Sequence, residues 1–164
     1  MFPPDIQNLA QQVIMRFTEQ KQRIVMAESC TGGLVAAALT EIPGSSIVFE
    51  RGFVSYSNDS KIDLLGVLPE LLERFGAVSP EVAEAMAEGA LTYSHAQVAV
   101  AITGIAGPGG ATTGKAIGMV CFGLATREGA RLHYQCDFKG NRQLIRLQAT
   151  EEALRLLLST LEKN

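Results

Sequence analysis

The sequence feature that most constrains the fold is an almost continuous apolar run, Ala96–Thr103 (AQVAVAIT). A strand without alternation between apolar and polar residues is typical of one that is covered on both faces. We therefore expect this run to be a central strand of a sheet with helices on either side of it.

Helices and strands are predicted to alternate along most of the chain and to end in a hairpin followed by a long helix. The predicted helices are Asp5–Gln20, Leu34–Thr40, Lys61–Leu65, Pro69–Phe75, Pro80–His95 and Asn141–Leu161, and the predicted strands are Arg23–Ala27, Ile47–Tyr56, Ala96–Thr103, Ala116–Ala125 and Arg131–Phe138. This order predicts an α/β fold, a three-layer α/β/α sandwich with a mixed, mostly parallel sheet of about five strands.

Three of these helices have a clear apolar face. The residues expected to face inward are Ile6, Leu9, Val13 and Phe17 in the first helix, Val82, Met86 and Ala90 in the helix that Ser79 is expected to cap, and Leu144, Leu147, Leu154, Leu157 and Leu161 in the last helix. Their spacing is that of one helical face.

Size and composition favour one domain over residues 1–164, because 47% of the residues are hydrophobic and only 19% are charged. The chain has 17 acidic and 14 basic residues, a net charge of −3, and no basic run. We therefore expect no nucleic-acid partner. A small anionic ligand is compatible with this charge, because a few local donors can hold it.

Expectations for localisation and metal binding come from three patterns that we do not find in the sequence: a membrane segment, a signal peptide and metal-ligand spacing. No apolar segment approaches the roughly 20 residues that a membrane helix needs, and the N-terminus lacks a basic stretch followed by an apolar core. The three cysteines form no CxxC pair and the two histidines are far apart, so we expect no metal site. We expect a cytoplasmic protein with no membrane partner.

The turn Glu28–Gly33 (ESCTGG) joins a predicted strand directly to a predicted helix. Ser and Thr there can be ordinary helix caps and Gly an ordinary turn residue. The same position also places Ser29 and Cys30 beside the free N–H groups of the helix start, which stabilise oxyanions and lower a thiol pKa. Either residue is therefore a candidate nucleophile, and Ser29 is preferred because no base is evident for Cys30.

The segment Gly104–Gly114 (GIAGPGGATTG) is too rich in glycine to be a helix or a strand. It nearly matches the phosphate-binding motif of nucleoside triphosphatases, but Ala116 stands where that motif has a hydroxyl and a strand follows instead of a helix. Two interpretations stay open. The loop is a flexible connector, or its backbone N–H groups bind a phosphate or ribose.

Three charged residues are candidates for the same site. Lys61 lies at the start of a predicted helical turn, where the helix dipole is expected to lower its pKa, so that a neutral Lys61 could act as a general base. The alternative is that Lys61 is only a solvated charge. Lys61 and Ser29 share one sheet edge if the first two strands are neighbours. Glu28 either orients Lys61 or the substrate or stabilises the helix start. Arg142 either grips an anion or is a surface arginine.

Four motifs occur in one order along nearly the whole chain: Glu28–Gly33, Tyr56-Ser57-Asn58-x-x-Lys61, Thr103–Pro108 and Gly140-Asn141-Arg142. In these motifs the chain resembles the competence/damage-inducible CinA C-terminal domain family. The resemblance implies a three-layer α/β/α fold and nicotinamide-nucleotide amidase activity, which converts nicotinamide mononucleotide and water to nicotinate mononucleotide and ammonia in pyridine-nucleotide recycling. Within this family, the chain resembles the stand-alone deamidases more than the many CinA-type proteins that carry a large N-terminal domain.

The resemblance implies a serine–lysine pair, with Ser29 as the nucleophile and Lys61 as the base. It places Tyr56, Thr103 and Arg142 around the substrate, and it implies a homodimer or a larger homo-oligomer. The other residues of its motifs that we expect at the substrate are Glu28, Cys30, Thr31, Gly32, Gly33, Gly104, Ala106 and Gly107. No metal, redox cofactor or triphosphate is needed for this chemistry.

In the expected mechanism, neutral Lys61 removes the hydroxyl proton of Ser29, and N–H groups of residues 29–33 stabilise the oxyanion. The substrate phosphate rests against the glycine-rich loop and Arg142. Two alternatives are a pyridine-nucleotide-binding module without catalysis and a hydrolase that uses Cys30.

Overall fold

A computed structural model describes residues 1–162, and the last two residues of the predicted domain, 163 and 164, lie outside this range. The described elements are α1 (Pro4–Gln20), β1 (Ile24–Glu28), α2 (Leu34–Thr40), β2 (Phe49–Val54), α3 (Asn58–Leu65), α4 (Pro69–Phe75), α5 (Pro80–Thr92), β3 (Val98–Gly104), β4 (Met119–Thr126), β5 (Arg131–Asp137) and α6 (Arg142–Ser159), with a 3-10 turn at Ser45–Ile47.

The five strands form one sheet in the order β2-β1-β3-β4-β5. Strand β1 is parallel to β2 and to β3, while β3, β4 and β5 pair antiparallel in turn. Only β4 therefore runs against the other four strands. This confirms the predicted mixed, mostly parallel sheet, and the apolar run that predicts a central strand is indeed the middle strand, β3.

Each face of the sheet has its own core, because alternate side chains of a strand point to opposite faces. Ile24 and Met26 of β1 pack in the core with α1, α2 and α6. Val25 and Ala27 pack in the core with α3, α4 and α5. Helix α5 lies so close to the sheet that a Cβ atom at Gly123 of β4 would be 2.1 Å from Ala83 O.

Several predicted boundaries shift because local hydrogen bonds end or begin an element. The second strand is shorter than predicted, since the 3-10 turn occupies its first residue. The helix predicted at Lys61 begins at Asn58, because the Ser57 hydroxyl accepts the Ser60 N–H at 3.0 Å. The prediction for Leu144 is wrong: it is exposed, because the buried stripe of α6 passes through Ile145 and not through Leu144.

The parallel pairing of β1 with β2 and β3 brings three chain segments to one edge of the sheet. Glu28, the last residue of β1, lies opposite Val54 of β2 and Ile102 of β3. The Ser29 N–H then donates to Ile102 O and the Ser55 N–H to Glu28 O, each at 2.9 Å. The predicted adjacency of the first two strands is therefore confirmed.

No helix within residues 1–162 is both long enough and apolar enough to cross a bilayer. The three cysteines are free thiols.

The contact between α5 and α3, the helix that carries Lys61, depends on Gly89. A Cβ atom at Gly89 would lie 1.8 Å from Leu65 O at the end of α3. We expect Gly89→Ala to lower the unfolding free energy by about 1–3 kcal/mol, the usual cost of overpacking, although alanine is the better helix former. Urea denaturation followed by circular dichroism measures this change.

Gly109→Ala is the matched control, because no atom lies within 4 Å of its added Cβ. An unfolding free energy for Gly89→Ala equal to that of the control would contradict the close approach of α3 and α5.

Candidate active site

A cavity of about 290 Å³ opens at the carboxyl edge of the sheet. One wall is formed by Ser29, Cys30 and Lys61, and another by the loop after β3, which includes Gly104, Ala106 and Gly107. Thr103, which is buried, also lines the cavity, as do Tyr56 and Arg142, which are exposed and so lie towards its opening. The structure thus gathers most of the residues that the sequence places at the site, although they come from four separate parts of the chain.

Ser29 and Lys61 are in direct contact. Lys61 Nζ lies 3.0 Å from Ser29 Oγ and 3.1 Å from both Ser55 O and Tyr56 O. Lys61 is only 1% exposed. The encounter of these two side chains, on which the expected mechanism depends, is present in the fold.

The surroundings of Lys61 favour a neutral amine. Burial lowers the pKa of Lys61, and the nearby Cys30 thiol opposes this more weakly. The pKa is lowered, as the sequence analysis predicts, but the main cause is burial and not the helix dipole. Lys61 is the fourth residue of α3 and does not lie at its first position. A neutral amine has two N–H groups, which match the two carbonyl acceptors, and one lone pair, which is left for the Ser29 hydroxyl.

Glu28 lies beneath the turn and does not line the cavity. Its Oε1 accepts the Val35 N–H and its Oε2 accepts the Ala36 N–H, each at 3.0 Å. Both carboxylate oxygens therefore hold the start of α2, which has no side-chain cap of its own. This corrects the expectation that Glu28 contacts Lys61 or the substrate, and it favours the alternative in which Glu28 stabilises the helix start.

The turn after β1 contributes fewer free N–H groups than the sequence analysis allows. The Ser29 N–H donates to Ile102 O and the Gly32 N–H to Ser29 O. The N–H groups of Cys30 and Thr31 have no acceptor anywhere in residues 1–162. Of the two residues, only Cys30 lines the cavity, because Thr31 is fully buried.

The rest of the turn shapes the site and does not line it. Gly32 and Gly33 have φ values of 56° and 101°, which L side chains rarely adopt. Thr31 is fully buried beneath the surface of the turn, and its hydroxyl has no partner within the described chain. The side of the cavity nearest Ser29 is therefore formed by Cys30, while Thr31, Gly32 and Gly33 lie behind it.

Cys30 lines the cavity but is a poor nucleophile. Desolvation by burial raises the pKa of its thiol to about 12, although its own backbone N–H acts in the opposite direction. The expectation that the helix start lowers this thiol pKa is therefore wrong. Because the thiolate is the reactive form, a buried neutral thiol does not favour the hydrolase that would use Cys30.

The wall opposite Ser29 is held by side-chain hydrogen bonds. Thr103 is buried and its Oγ1 donates to Ala77 O at 2.8 Å, which fixes the segment before α5. Arg142 Nη1 donates to Gly107 O at 2.8 Å, and its Nη2 lies 3.3 Å from Tyr56 Oη. Gly107 of the glycine-rich loop is therefore tied to the start of α6 where the loop lines the cavity.

The sequence analysis missed several residues at or beside the site, among them Ala77 and Val78, which line the cavity. Asn58, at the first position of α3, lines the cavity. Arg146, one helical turn after Arg142, donates from Nε to Cys30 O at 3.1 Å and from Nη2 to Thr31 O at 3.2 Å. The spacing of four residues on one helix is the signal that could have linked Arg146 to Arg142.

Comparisons with known proteins give one consistent family. The model of the CinA C-terminal domain matches residues 6–161. A protein of Enterobacter agglomerans named nicotinamide-nucleotide amidohydrolase PncC is 48% identical over 141 residues, which are 86% of each chain. A protein of the same name from Shigella flexneri is 44% identical over 157 residues, which are 96% of this chain and 95% of the relative.

The fold is equally close to a solved structure. The crystal structure of competence/damage inducible protein CihA from Agrobacterium tumefaciens has a TM-score of 0.97 and 48% sequence identity, with 99% of each chain covered. Other relatives are longer. The chain spans 37% and 38% of two putative competence-damage inducible proteins from Caldicellulosiruptor species.

The lowered pKa of Lys61 predicts a pH-dependent stability. Between that pKa and the ordinary value of 10.5 the unfolded chain binds more protons at this residue than the folded chain, so Lys61 makes the free energy of unfolding rise with pH. Lys61→Met removes this contribution. We expect the stability of the variant relative to wild type to decline as pH rises through this window, as measured by urea denaturation.

Lys139→Met provides the control for removal of a lysine side chain, since Lys139 is exposed. A difference between Lys61→Met and wild type that is flat over the same range would show that Lys61 keeps an ordinary pKa.

Proposed function

The chain belongs to the CinA C-terminal domain family, and we propose that it hydrolyses the carboxamide of nicotinamide mononucleotide to nicotinate mononucleotide and ammonia. The observation that carries the proposal is the buried Lys61 amine 3.0 Å from Ser29 Oγ in a cavity. The two relatives named nicotinamide-nucleotide amidohydrolase support it, because they match over most of their own length. We place the reaction in pyridine-nucleotide recycling in the cytoplasm; the predicted homo-oligomer stays a prediction.

Acylation begins when the lone pair of Lys61 accepts the hydroxyl proton of Ser29. Ser29 Oγ then bonds to the carboxamide carbon, and the carbonyl oxygen takes up the negative charge. The Cys30 N–H group, which has no acceptor within residues 1–162 and belongs to a residue that lines the cavity, is the donor that stabilises the oxyanion. As the C–N bond breaks, Lys61 gives its proton to the leaving nitrogen, and ammonia departs.

Deacylation repeats the sequence with water. Lys61, neutral again, takes a proton from water while the water oxygen bonds to the acyl carbon. The bond to Ser29 Oγ breaks, and the proton returns from Lys61 to Ser29. The enzyme is restored with no net change, and the product leaves as a carboxylic acid, whose proton passes to the solvent or to the released ammonia.

Arg142 is the proposed phosphate ligand. Its guanidinium group has five N–H donors, of which the structure uses one on Gly107 O and one towards Tyr56 Oη. The remaining donors can bind a phosphate without breaking either contact. Arg142 is exposed at the opening of the cavity, where the polar end of a nucleotide would lie if its amide reached Ser29.

Removal of either member of the pair should abolish turnover. We expect Ser29→Ala and Lys61→Met to lower kcat by at least about 1000-fold, because members of such catalytic units act together. A coupled ammonia assay with nicotinamide mononucleotide measures the rate, and mass spectrometry of the product should show the gain of about one dalton that marks exchange of NH₂ for OH.

Cys30→Ser separates the serine mechanism from the cysteine alternative, with Cys136→Ser as its matched control. Both variants should keep kcat within about tenfold of wild type. Saturable binding of the nucleotide by wild type without any ammonia release would identify a binding module and refute the proposed reaction.

Arg142→Gln should raise KM and leave kcat nearly unchanged. Loss of a charge-assisted contact to phosphate costs about 1.5–3 kcal/mol, or about 10- to 150-fold in KM. With nicotinamide riboside, which lacks the phosphate, the variant and wild type should be alike. A KM ratio that is the same for both substrates would assign the phosphate to other residues.

A further inference from the structure

Ser29 and Thr103 lie side by side on one face of the sheet. Glu28 pairs with Ile102 across β1 and β3, and the Ser29 N–H donates to Ile102 O at 2.9 Å, so the pairing continues to Ser29 and Thr103. Ile102 packs in the core with α1, α2 and α6. Because side chains alternate along a strand, Ser29 and Thr103 point to the other face, which α3 and α5 cover. Paired strands lie about 4.8 Å apart, so the two side chains are close neighbours.

The hydrogen bonds of the two side chains agree with this placement. Ser29 Oγ lies 3.0 Å from Lys61 Nζ of α3, and Thr103 Oγ1 lies 2.8 Å from Ala77 O, shortly before α5. Thr103 and Ala77 line the same cavity as Ser29. Since β1 lies between β2 and β3, and Lys61 binds the carbonyl groups that follow β2, Lys61 and Thr103 flank Ser29 from opposite sides.

The Thr103 hydroxyl has no hydrogen left for a substrate. A hydroxyl group has one O–H donor and two lone pairs. A carbonyl oxygen can only accept, so the Thr103 hydrogen lies on the bond to Ala77 O. No other donor within residues 1–162 reaches Ala77 O, and turning the hydroxyl away would leave this carbonyl unpaired. Thr103 therefore offers a ligand in the cavity an acceptor and no donor.

An acceptor at this place suits the nitrogen of a primary carboxamide, which carries two N–H groups. We propose that Thr103 is a specificity-determining residue that selects an amide over an ester, because its Oγ1 accepts an N–H from the carboxamide that Ser29 attacks. The inference rests on the proposed function and deepens it by giving the leaving group a site. A buried group that pairs with a substrate N–H discriminates strongly against an analogue that lacks it.

The contact is compatible with the proton transfers of acylation. In the tetrahedral intermediate the nitrogen keeps both hydrogens, and one of them stays on Thr103 Oγ1. From the other side of Ser29, Lys61 gives its proton to the nitrogen lone pair, and the electrons of the C–N bond pass to the nitrogen as ammonia departs. Thr103 gains and loses no proton. The acid that forms has no N–H for Thr103, so the contact ends with the amide.

The test compares two substrates that form the same acyl group on Ser29. Nicotinamide mononucleotide has the N–H groups, and the methyl ester of nicotinate mononucleotide has none. For both, kcat/KM is measured from the formation of nicotinate mononucleotide. Thr103→Val should lower the amide-to-ester ratio of kcat/KM by about 5- to 150-fold. Loss of the bond to Ala77 O affects both substrates and cancels in this ratio. A ratio equal to that of wild type overturns the inference.

Thr150→Val is the matched control. Thr150 is also a buried threonine, its hydroxyl donates to Arg146 O at 2.8 Å, and it does not line the cavity. Its ratio should equal that of wild type, and a fall as large as that of Thr103→Val overturns the inference. Thr103→Ser keeps the hydroxyl and should restore most of the ratio. A ratio for Thr103→Ser as low as that for Thr103→Val would assign the effect to the methyl group and also overturns the inference.

Folding of each variant is checked by circular dichroism. If Thr103→Val does not fold, Thr103→Ala removes the same oxygen with a smaller side chain, and its ratio is compared with that of Thr103→Ser. Wild-type protein that forms no nicotinate mononucleotide from the amide refutes the proposed function as well. An active wild type whose ratio survives loss of the Thr103 oxygen refutes this inference alone.

Discussion

The burial of the Lys61 amine beside the Ser29 hydroxyl is the interaction on which the candidate site depends. An ammonium group in this position would lose most of its hydration, which is why its pKa is lowered. The carbonyls of Ser55 and Tyr56 satisfy the two N–H groups of the neutral amine and turn its lone pair towards Ser29. The same desolvation that makes the amine a base also makes its burial costly, so the surrounding fold must hold α3 in place.

The sheet and α5 provide that support. Parallel pairing places the ends of β1 and β2 side by side, and the backbone bond from Ser55 N–H to Glu28 O ties the two following turns together. On the outer side, Gly89 lets α5 pack against the backbone of Leu65 at the end of α3. The distance between Ser29 and Lys61 is therefore set by core packing and by strand register, and not by the two side chains alone.

The fold class and the meeting of Ser29 with Lys61 could be predicted because both follow from the order of elements and from where parallel strands end. Properties that depend on how deeply a side chain is buried, or on the direction in which it points, could not be predicted. The thiol of Cys30 is deeper than its place at a helix start indicates, and the Glu28 carboxylate points back into α2. Arg146 contacts a segment more than 100 residues away, and its spacing of four residues from Arg142 places it on the same helix face without indicating which carbonyls it binds.

Glu28 shows how a short helix limits what can change beside it. The residue before α2 is a glycine without a side-chain cap, and the first N–H groups of the helix donate to the Glu28 carboxylate instead. The residue before the proposed nucleophile therefore has a structural role. Substrate preference is then open to adjustment mainly on the opposite wall, where the loop after β3 carries exposed residues such as Pro108 and Gly109. An engineer who wished to admit a bulkier amide would redesign that loop and leave the strand-to-helix turn intact.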